Sequence, residues 1–278
     1  MNRNVQTRTP VPVRRKRKKK VNKTARLLLV MVIAALILVG LILLVGYMMG
    51  YRYVKVETDT GTIKYFGTVT SDGTLEKGTL YFSNGNRGKV NGATSTITYS
   101  NGDKYVGGLS KLQRSGRGIY TYANGDKYEG NFEKNLFSGQ GTFTYANGDT
   151  YVGNYKNGLM DGNGTYTWAN QSSYTGEFKE NKRHGQGVLK ISDTAYYEGT
   201  YVNNAKDGKG KSVFENGDTY EGDYVGDVRT GNGTYTWPNG ESYTGQFYNG
   251  MLHGYGKYTW PSGRVYEGNF YQGQIAVE

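Results

Sequence analysis

The pattern of apolar and polar residues divides the chain into two parts. From Leu27 to Met49 no residue is charged and nearly every residue is apolar. In a helix this run would extend about 35 Å, which exceeds the roughly 30 Å hydrocarbon core of a bilayer. No A-x-A-like cleavage site of a secretory signal peptide follows it. The pattern therefore predicts an uncleaved transmembrane signal-anchor helix over residues 27–50.

Beyond residue 64 apolar and polar residues alternate with a period of two, which is typical of strands with one buried face. A Tyr-x-Gly triplet recurs every 23 residues, beginning at Tyr105, Tyr128, Tyr151, Tyr174, Tyr197, Tyr220, Tyr243 and Tyr266. A degraded unit starts at Tyr65, and 88–104 is a shortened copy. We number each unit from its tyrosine as position 1. Each unit predicts a hairpin with strands over about positions 1–6 and 14–18, joined by a turn that ends at the glycine of position 12.

The predicted fold class is all-β: a solenoid of stacked antiparallel β-hairpins with 23-residue repeats, preceded by one transmembrane α-helix. Four segments follow: a disordered basic tail over 1–26, the helix over 27–50, a juxtamembrane cap or linker over 51–64, and the repeat array over 65–278. The rings of positions 1 and 5 are expected to pack the hairpins together, because a glycine opposite a ring leaves room for an aromatic ring of the next hairpin to lie close to the backbone.

This motif closely resembles the MORN (membrane occupation and recognition nexus) repeat. One unit carries the resemblance through Tyr151, Gly153, Tyr155, Gly162, Gly164, Tyr166, Trp168 and Asn170. The resemblance implies a non-catalytic hairpin solenoid that binds partners along its groove or self-associates, and it implies attraction to acidic phospholipids. The whole chain is similar to bacterial single-pass membrane-anchored MORN proteins.

The charge of the chain lies in its tail. The formal net charge is +11, with 34 basic and 23 acidic residues, and residues 1–26 hold 11 basic residues and no acid. The remainder is therefore balanced, which argues against nucleic-acid binding. The basic run is expected on the cytoplasmic side against anionic lipid, with Thr7 and Thr9 as candidate phosphorylation sites beside it, and with the repeats outside the cell membrane. It comprises Arg14, Arg15, Lys16, Arg17, Lys18, Lys19 and Lys20.

Few residues offer catalytic or metal-binding chemistry. The chain has no cysteine and two histidines, His184 and His253, which share position 11 and are expected in turns. Acidic residues recur at position 22, where we expect them to be solvated turn residues; they include Asp126, Asp149, Asp218 and Glu241. We predict no enzyme activity, no catalytic residue, no metal and no cofactor.

The rings of positions 16 and 18 are the candidate partner-binding residues, because they could form the floor of an exposed trough. They are Tyr120, Tyr122, Phe143, Tyr145, Tyr166, Trp168, Tyr235, Trp237, Tyr258 and Trp260. The leading hypothesis is a membrane-anchored scaffold that binds a protein partner, in cell-envelope assembly or division. The alternatives are a cell-wall glycan-binding module that uses the same trough and a structural spacer. A homodimer through the C-terminal hairpin is a further expectation.

Overall fold

The computed structural model describes residues 23–276. The predicted basic run over 14–20, with Thr7 and Thr9, lies outside these residues. A single helix, α1 (Lys23–Met48), comes first and has no buried residue. It is long and apolar enough to cross a membrane, properties that it shares with signal sequences. The contacts between residues divide the chain into two compact units: the first ends at Tyr51 and the second begins at Arg52.

The second unit consists almost entirely of short strands, with one turn of 3-10 helix at Gly92–Thr94. The strands are β1 (Tyr51–Thr58), β2 (Gly61–Val69), β3 (Leu75–Phe82), β4 (Arg87–Asn91), β5 (Thr96–Tyr99), β6 (Lys104–Ser110), β7 (Gln113–Thr121), β8 (Lys127–Glu133), β9 (Leu136–Thr144), β10 (Thr150–Lys156), β11 (Leu159–Thr167), β12 (Ser173–Lys179), β13 (Lys182–Lys190), β14 (Tyr196–Val202), β15 (Ala205–Val213), β16 (Thr219–Val225), β17 (Val228–Thr236), β18 (Ser242–Tyr248), β19 (Met251–Thr259), β20 (Val265–Tyr271) and β21 (Gln274–Ile275).

Each strand pairs with its neighbours in sequence, which gives one open antiparallel sheet of 21 strands. Two strands make one 23-residue repeat, as in β8 and β9. The predicted all-β class, with hairpin repeats preceded by one apolar helix, is confirmed. Residues 51–64, expected as a cap or linker, form β1 and the start of β2.

The turn inside each hairpin lies earlier than the sequence suggested. In the repeat that starts at Tyr128, the two turn residues are Lys134 and Asn135, both with positive φ (48° and 72°). This is the sign pattern of a type I′ turn, whose twist matches that of the flanking strands. The second strand therefore begins at position 9, and Gly139 (φ 56°) lies within it, where the register shifts at a β-bulge. The prediction of a turn ending at position 12 was wrong.

The position-1 tyrosines form the core. Tyr128 is fully buried, and its ring lies over the paired glycines of positions 3 and 14, Gly130 and Gly141. A Cβ atom on either glycine would stand about 2.5 Å from the Tyr128 hydroxyl oxygen, closer than any real contact. The hydroxyl donates to the carbonyl oxygen of Asn131 at 2.9 Å. One ring thus fills its hairpin and satisfies its own polar atom there.

The position-5 rings connect successive hairpins. The Tyr128 ring meets the edge of Phe132 in its own repeat and of Tyr155 in the next, both at 5.2 Å between centroids. The same geometry recurs along the array, for example around Tyr174. Edge-to-face contacts of this kind stabilise aromatic pairs beyond their buried area. The expected packing role of positions 1 and 5 is confirmed.

Hydrogen bonds between hairpin tips also join the repeats. The Asn204 side-chain oxygen accepts the backbone N–H of Arg183 at 2.8 Å, and the Asn204 N–H donates to the Arg183 carbonyl at 3.0 Å. The same pair of bonds links Asn181 to Met160. Position 8 of one repeat is thereby fixed to position 10 of the previous one.

Candidate binding surface on the ring-bearing face

The rings of positions 16 and 18 form a row on the same face as the core tyrosines, which we call the aromatic row. Within it, neighbouring ring centroids lie 4.4 to 6.2 Å apart. The row has two continuous segments. The first runs from Phe82 to Trp168 and the second from Phe214 to Trp260.

Position-16 tyrosines are held by acids of the preceding turn. Tyr166 donates its hydroxyl to Asp149 at 2.7 Å, and the other carboxylate oxygen accepts the Ala169 N–H at 2.9 Å. The hydrogen bond from Tyr166 is the main cause that lowers the pKa of Asp149. Equivalent bonds join Tyr120 to Asp103 and Tyr235 to Asp218. Asp149 and Asp218 are buried, so the expectation that the turn acids are solvated was wrong for them.

Exposure varies within the aromatic row. Tyr120 is only 8% exposed, which argues against its predicted place on a contact surface. Position 18 carries half-exposed rings whose polar atoms are not tied to those acids, and it holds all three tryptophans of the chain. These rings are Tyr122, Tyr145, Trp168, Phe214, Trp237 and Trp260. The position-16 rings other than Tyr120 are also partly exposed, so position 18 differs from them mainly because no turn acid binds its rings.

A gap separates the two segments of the aromatic row. There Leu189 and Ser212 occupy position 16, and Ile191 occupies position 18. Ser212 shares a hydrogen bond with the Tyr224 hydroxyl at 2.7 Å. The equivalent partner of Tyr201 is Leu189, which offers no acceptor, and the Tyr201 hydroxyl is buried without a hydrogen-bond partner. Buried polar groups of this kind are rare in folded proteins.

Cations line the gap, and sequence reasoning did not find them. Position 10 covers the position-1 ring: Phe137 stacks on Tyr128 at 3.7 Å. In three successive repeats this place is taken by Arg183, Lys206 and Arg229, which we call the cation row. Their charged groups lie 5.7, 4.6 and 5.6 Å from the centroids of Tyr174, Tyr197 and Tyr220, respectively. Only a comparison of position 10 across repeats would have revealed the row, because the other repeats carry Arg114, Phe137, Met160 or Leu252 there.

The side chain of Arg183 borders two recesses beside Trp168. One, of about 190 Å³, contains Tyr174 and Phe178 among its lining residues. The other, of about 590 Å³, extends over Leu189 and Ile191. The recesses at the gap therefore bring together apolar side chains, polar residues of the turns that include Asp149, and the Arg183 cation.

The two histidines lie in strands rather than in turns. His184 is in β13 and His253 is in β19, where its ring lies 5.4 Å from Tyr248 and 5.6 Å from Tyr271. Within residues 23–276 no three His, Cys, Asp or Glu side chains converge as metal ligands would.

The opposite face of the sheet is polar. Thr165 and Thr175 share a hydrogen bond at 3.0 Å across neighbouring strands, and Thr234 and Thr244 do the same. Val152 on this face is 51% exposed and isolated among polar residues. The two faces thus differ sharply in ring content.

Together, the repeated hairpin and its Tyr-over-glycine core define a β-hairpin repeat protein. The MORN repeat model matches seven consecutive units, which together make up more than half of the chain: 105–127, 128–150, 151–173, 174–194, 197–219, 220–242 and 243–263. The chain belongs to the MORN repeat family. No curated protein sequence matches it.

Solved structures with a related arrangement share little sequence with the chain. It is similar to the TCP10 domain of Danio rerio CPAP in complex with a peptide of Danio rerio STIL (16% identity, TM-score 0.41, covering 78% of this chain and 94% of that one). It is also similar to the SAS-4 (dCPAP) TCP domain of Drosophila melanogaster in complex with a proline-rich motif of Ana2 (15% identity, TM-score 0.36, covering 63% and 88%). Likeness at this level indicates neither a shared partner nor a shared activity.

Proposed function

We propose that this MORN repeat protein is a non-catalytic scaffold that binds a protein partner through the position-18 rings. One observation carries the proposal: these rings are partly exposed and, together with the position-16 rings between them, form two continuous segments, while the sheet is held together by other residues at positions 1, 3, 5 and 14. Contiguous exposed aromatic rings favour a binding role, because Tyr and Trp bury much area at little entropic cost.

The proposal includes a membrane anchor. Helix α1 has the length and composition of a membrane span, and the basic residues that precede it favour a cytoplasmic N-terminus in contact with anionic lipid. The repeats then lie on the extracytoplasmic side of the membrane, where the scaffold would take part in cell-envelope assembly or division. Self-association through β20 and β21 belongs to the same proposal, because β21 offers an edge for strand pairing.

A glycan is the second candidate ligand, because the first segment of the aromatic row presents Tyr122, Tyr145 and Trp168 in successive repeats. Stacked rings of this kind suit sugar rings as well as peptides. A polymer that contacts many equivalent rings should tolerate the loss of any one of them. A protein that contacts a local cluster should not.

The test is capture of the full chain from cells after chemical cross-linking, followed by mass spectrometry. We compare the wild type with Trp168→Ala/Trp237→Ala and with the control Thr175→Ala/Thr244→Ala, whose changes lie on the opposite face. The proposal expects a protein that is lost with the first variant and retained with the control. If no captured protein depends on the two tryptophans, protein binding by the aromatic row is contradicted. Loss of captured material after muramidase digestion would favour the glycan.

A further inference from the structure

Within residues 23–276, none of the three cations that line the gap forms an ion pair with a carboxylate. Within the described part, no carboxylate lies within 4.0 Å of the charged group of Arg183, Lys206 or Arg229, although five other ion pairs form. Arg183 and Arg229 each donate one N–H to a carbonyl of the next hairpin tip, at 2.8 and 2.9 Å. These bonds hold the guanidinium groups in place and leave their charge uncompensated.

One neighbouring acid offsets part of this charge: the Asp227 carboxylate accepts the backbone N–H of Lys206 at 2.9 Å, and its charge acts to raise the pKa of that lysine. The other acids near the gap are engaged elsewhere. Asp149 and Asp218, at the two ends of the gap, are engaged by Tyr166 and Tyr235. In the two turns between them, position 22 holds Ser172 and Ala195 instead of an acid. The acid that recurs elsewhere is therefore missing where two of the three cations lie.

Burial makes this charge costly. Burial is the main cause that lowers the pKa of Lys206, whose ammonium lies over the Tyr197 and Tyr224 rings. The Arg183 guanidinium carbon lies 5.0 Å from the centroid of the Tyr201 ring. The gap thus presents positive charge that no carboxylate neutralises through an ion pair, and this favours an anionic acceptor.

The spacing of the cations indicates the backbone conformation of a ligand that could bind all three. Equivalent residues of successive repeats are two strands apart, about 9.6 Å. A polyproline II segment advances about 9.3 Å per three residues and places every third side chain on the same side. An extended chain that crosses the strands can therefore present one carboxylate to each cation in turn.

We infer that the cation row of Arg183, Lys206 and Arg229 binds an extended acidic segment of the protein partner, with carboxylates at every third residue and its other side chains against Trp168 and Ile191. This inference rests on the proposed function and specifies the chemistry of the partner.

The test is a titration of the full chain in detergent micelles with two synthetic peptides, acetyl-(Glu-Pro-Pro)₃-amide and its Gln-for-Glu counterpart. Intrinsic fluorescence is the readout, because all three tryptophans lie at position 18. We expect the Glu peptide to bind at least tenfold more tightly than the Gln peptide at low salt, and this preference to shrink at 0.5 M salt, where charges are screened. Equal affinity for the two peptides would overturn the inference.

Two matched variants test the position of the site. Arg183→Gln/Lys206→Gln should weaken binding of the Glu peptide about tenfold, since it removes two charge pairs. Lys211→Gln/Lys257→Gln removes the same charge from the opposite face and should leave binding unchanged. An equal loss in both variants would overturn the inference. Arg183→Lys replaces the same side chain but keeps its charge, so it should retain most of the affinity. Its comparison with the Gln variant separates loss of charge from damage caused by replacing Arg183.

The two proposals fail in different experiments. If the peptides show no preference for glutamate while a captured cellular protein still depends on Trp168 and Trp237, the acidic-segment inference is overturned and the proposed function stands. If the preference for glutamate is present but no cellular protein depends on those rings, the proposed function is overturned.

Discussion

At the scale of single residues, the array depends on a tyrosine and two glycines that share one volume. The Tyr151 ring occupies the space where Gly153 and Gly164 would otherwise carry side chains, and its hydroxyl donates to Asn154 at 3.1 Å. The glycines allow the ring to approach the backbone closely. The tyrosine fills the space beside them and donates a hydrogen bond. The fixed spacing of the three residues predicted that rings pack against these glycines. It assigned the space to a ring of the next hairpin, whereas Tyr151 lies over the glycines of its own hairpin.

We predict that Gly164→Ala destabilises the repeat unit more than Tyr151→Phe. A Cβ at Gly164 would stand 2.3 Å from the Tyr151 hydroxyl oxygen, and such overpacking costs about 1–3 kcal/mol. Removing the hydroxyl costs about 1 kcal/mol, the net value of one hydrogen bond. Urea unfolding measures both, with Val152→Ala on the exposed face as a control. Equal stability of Gly164→Ala and the control would contradict this account of the core.

A second prediction concerns how the contribution of Asp149 to stability depends on pH. The hydrogen bond from Tyr166 lowers its pKa, so its contribution to stability is present above the pKa of the unfolded state, near 3.9, and is lost as the pH falls through the lower folded value. Wild type should therefore be more stable than Asp149→Asn at pH 7, and the difference should shrink below about pH 4. Thermal unfolding from pH 7 to pH 2.5 measures it. Glu133→Gln, an exposed change, serves as the control; a pH-independent difference would contradict the assignment.

At the scale of the hairpin, the sequence predicted the strands better than the turns. An Asn-Gly pair marks the turn at Asn157–Gly158, but other repeats have Lys134–Asn135 or Asn203–Asn204 there, all with positive φ. The glycine of position 12 recurs in all seven complete units from Tyr105 onward, and the turn was therefore predicted to end there, although this glycine lies at a β-bulge. Contacts between repeats, such as Tyr166 with Asp149, join residues 17 apart and leave no mark in local periodicity.

The turn makes a matched pair of variants possible. Asn203 and Asn204 both have positive φ, and only the Asn204 side chain accepts the N–H of the previous repeat. Glycine adopts positive φ without strain. Asn204→Gly should therefore cost about 1 kcal/mol through the lost hydrogen bond, while Asn203→Gly should be nearly neutral. Denaturant midpoints decide; equal losses would show that the bond between repeats contributes nothing.

At the scale of the whole molecule, the repeated sheet explains why so much of the fold was predictable and so little of the surface. A repeat fixes the same core in each unit, whereas the gap at Leu189, Ile191 and Ser212 arises from departures from the pattern. In the sequence, these departures are recognisable only as poor agreement with the repeat pattern. In the structure they interrupt the aromatic row where the unpaired cations lie.

The proposed topology is testable because the chain has no native cysteine. A single Thr175→Cys should react with a membrane-impermeant maleimide on intact cells, since the residue is exposed on the polar face of the repeats. Thr7→Cys should react only after permeabilisation. The reverse pattern would contradict the proposed orientation, and labelled protein released from the membrane fraction would contradict the anchor.

The central claim is that partners contact the ring-bearing face at position 18. Its most direct measurement is the adduct formed by a photo-reactive phenylalanine analogue at Trp168, compared with the same analogue at Val152 on the opposite face, in irradiated cells. The account predicts a discrete protein adduct from position 168 and none from position 152. Equal adducts from both positions, or an adduct from position 152 alone, would contradict it.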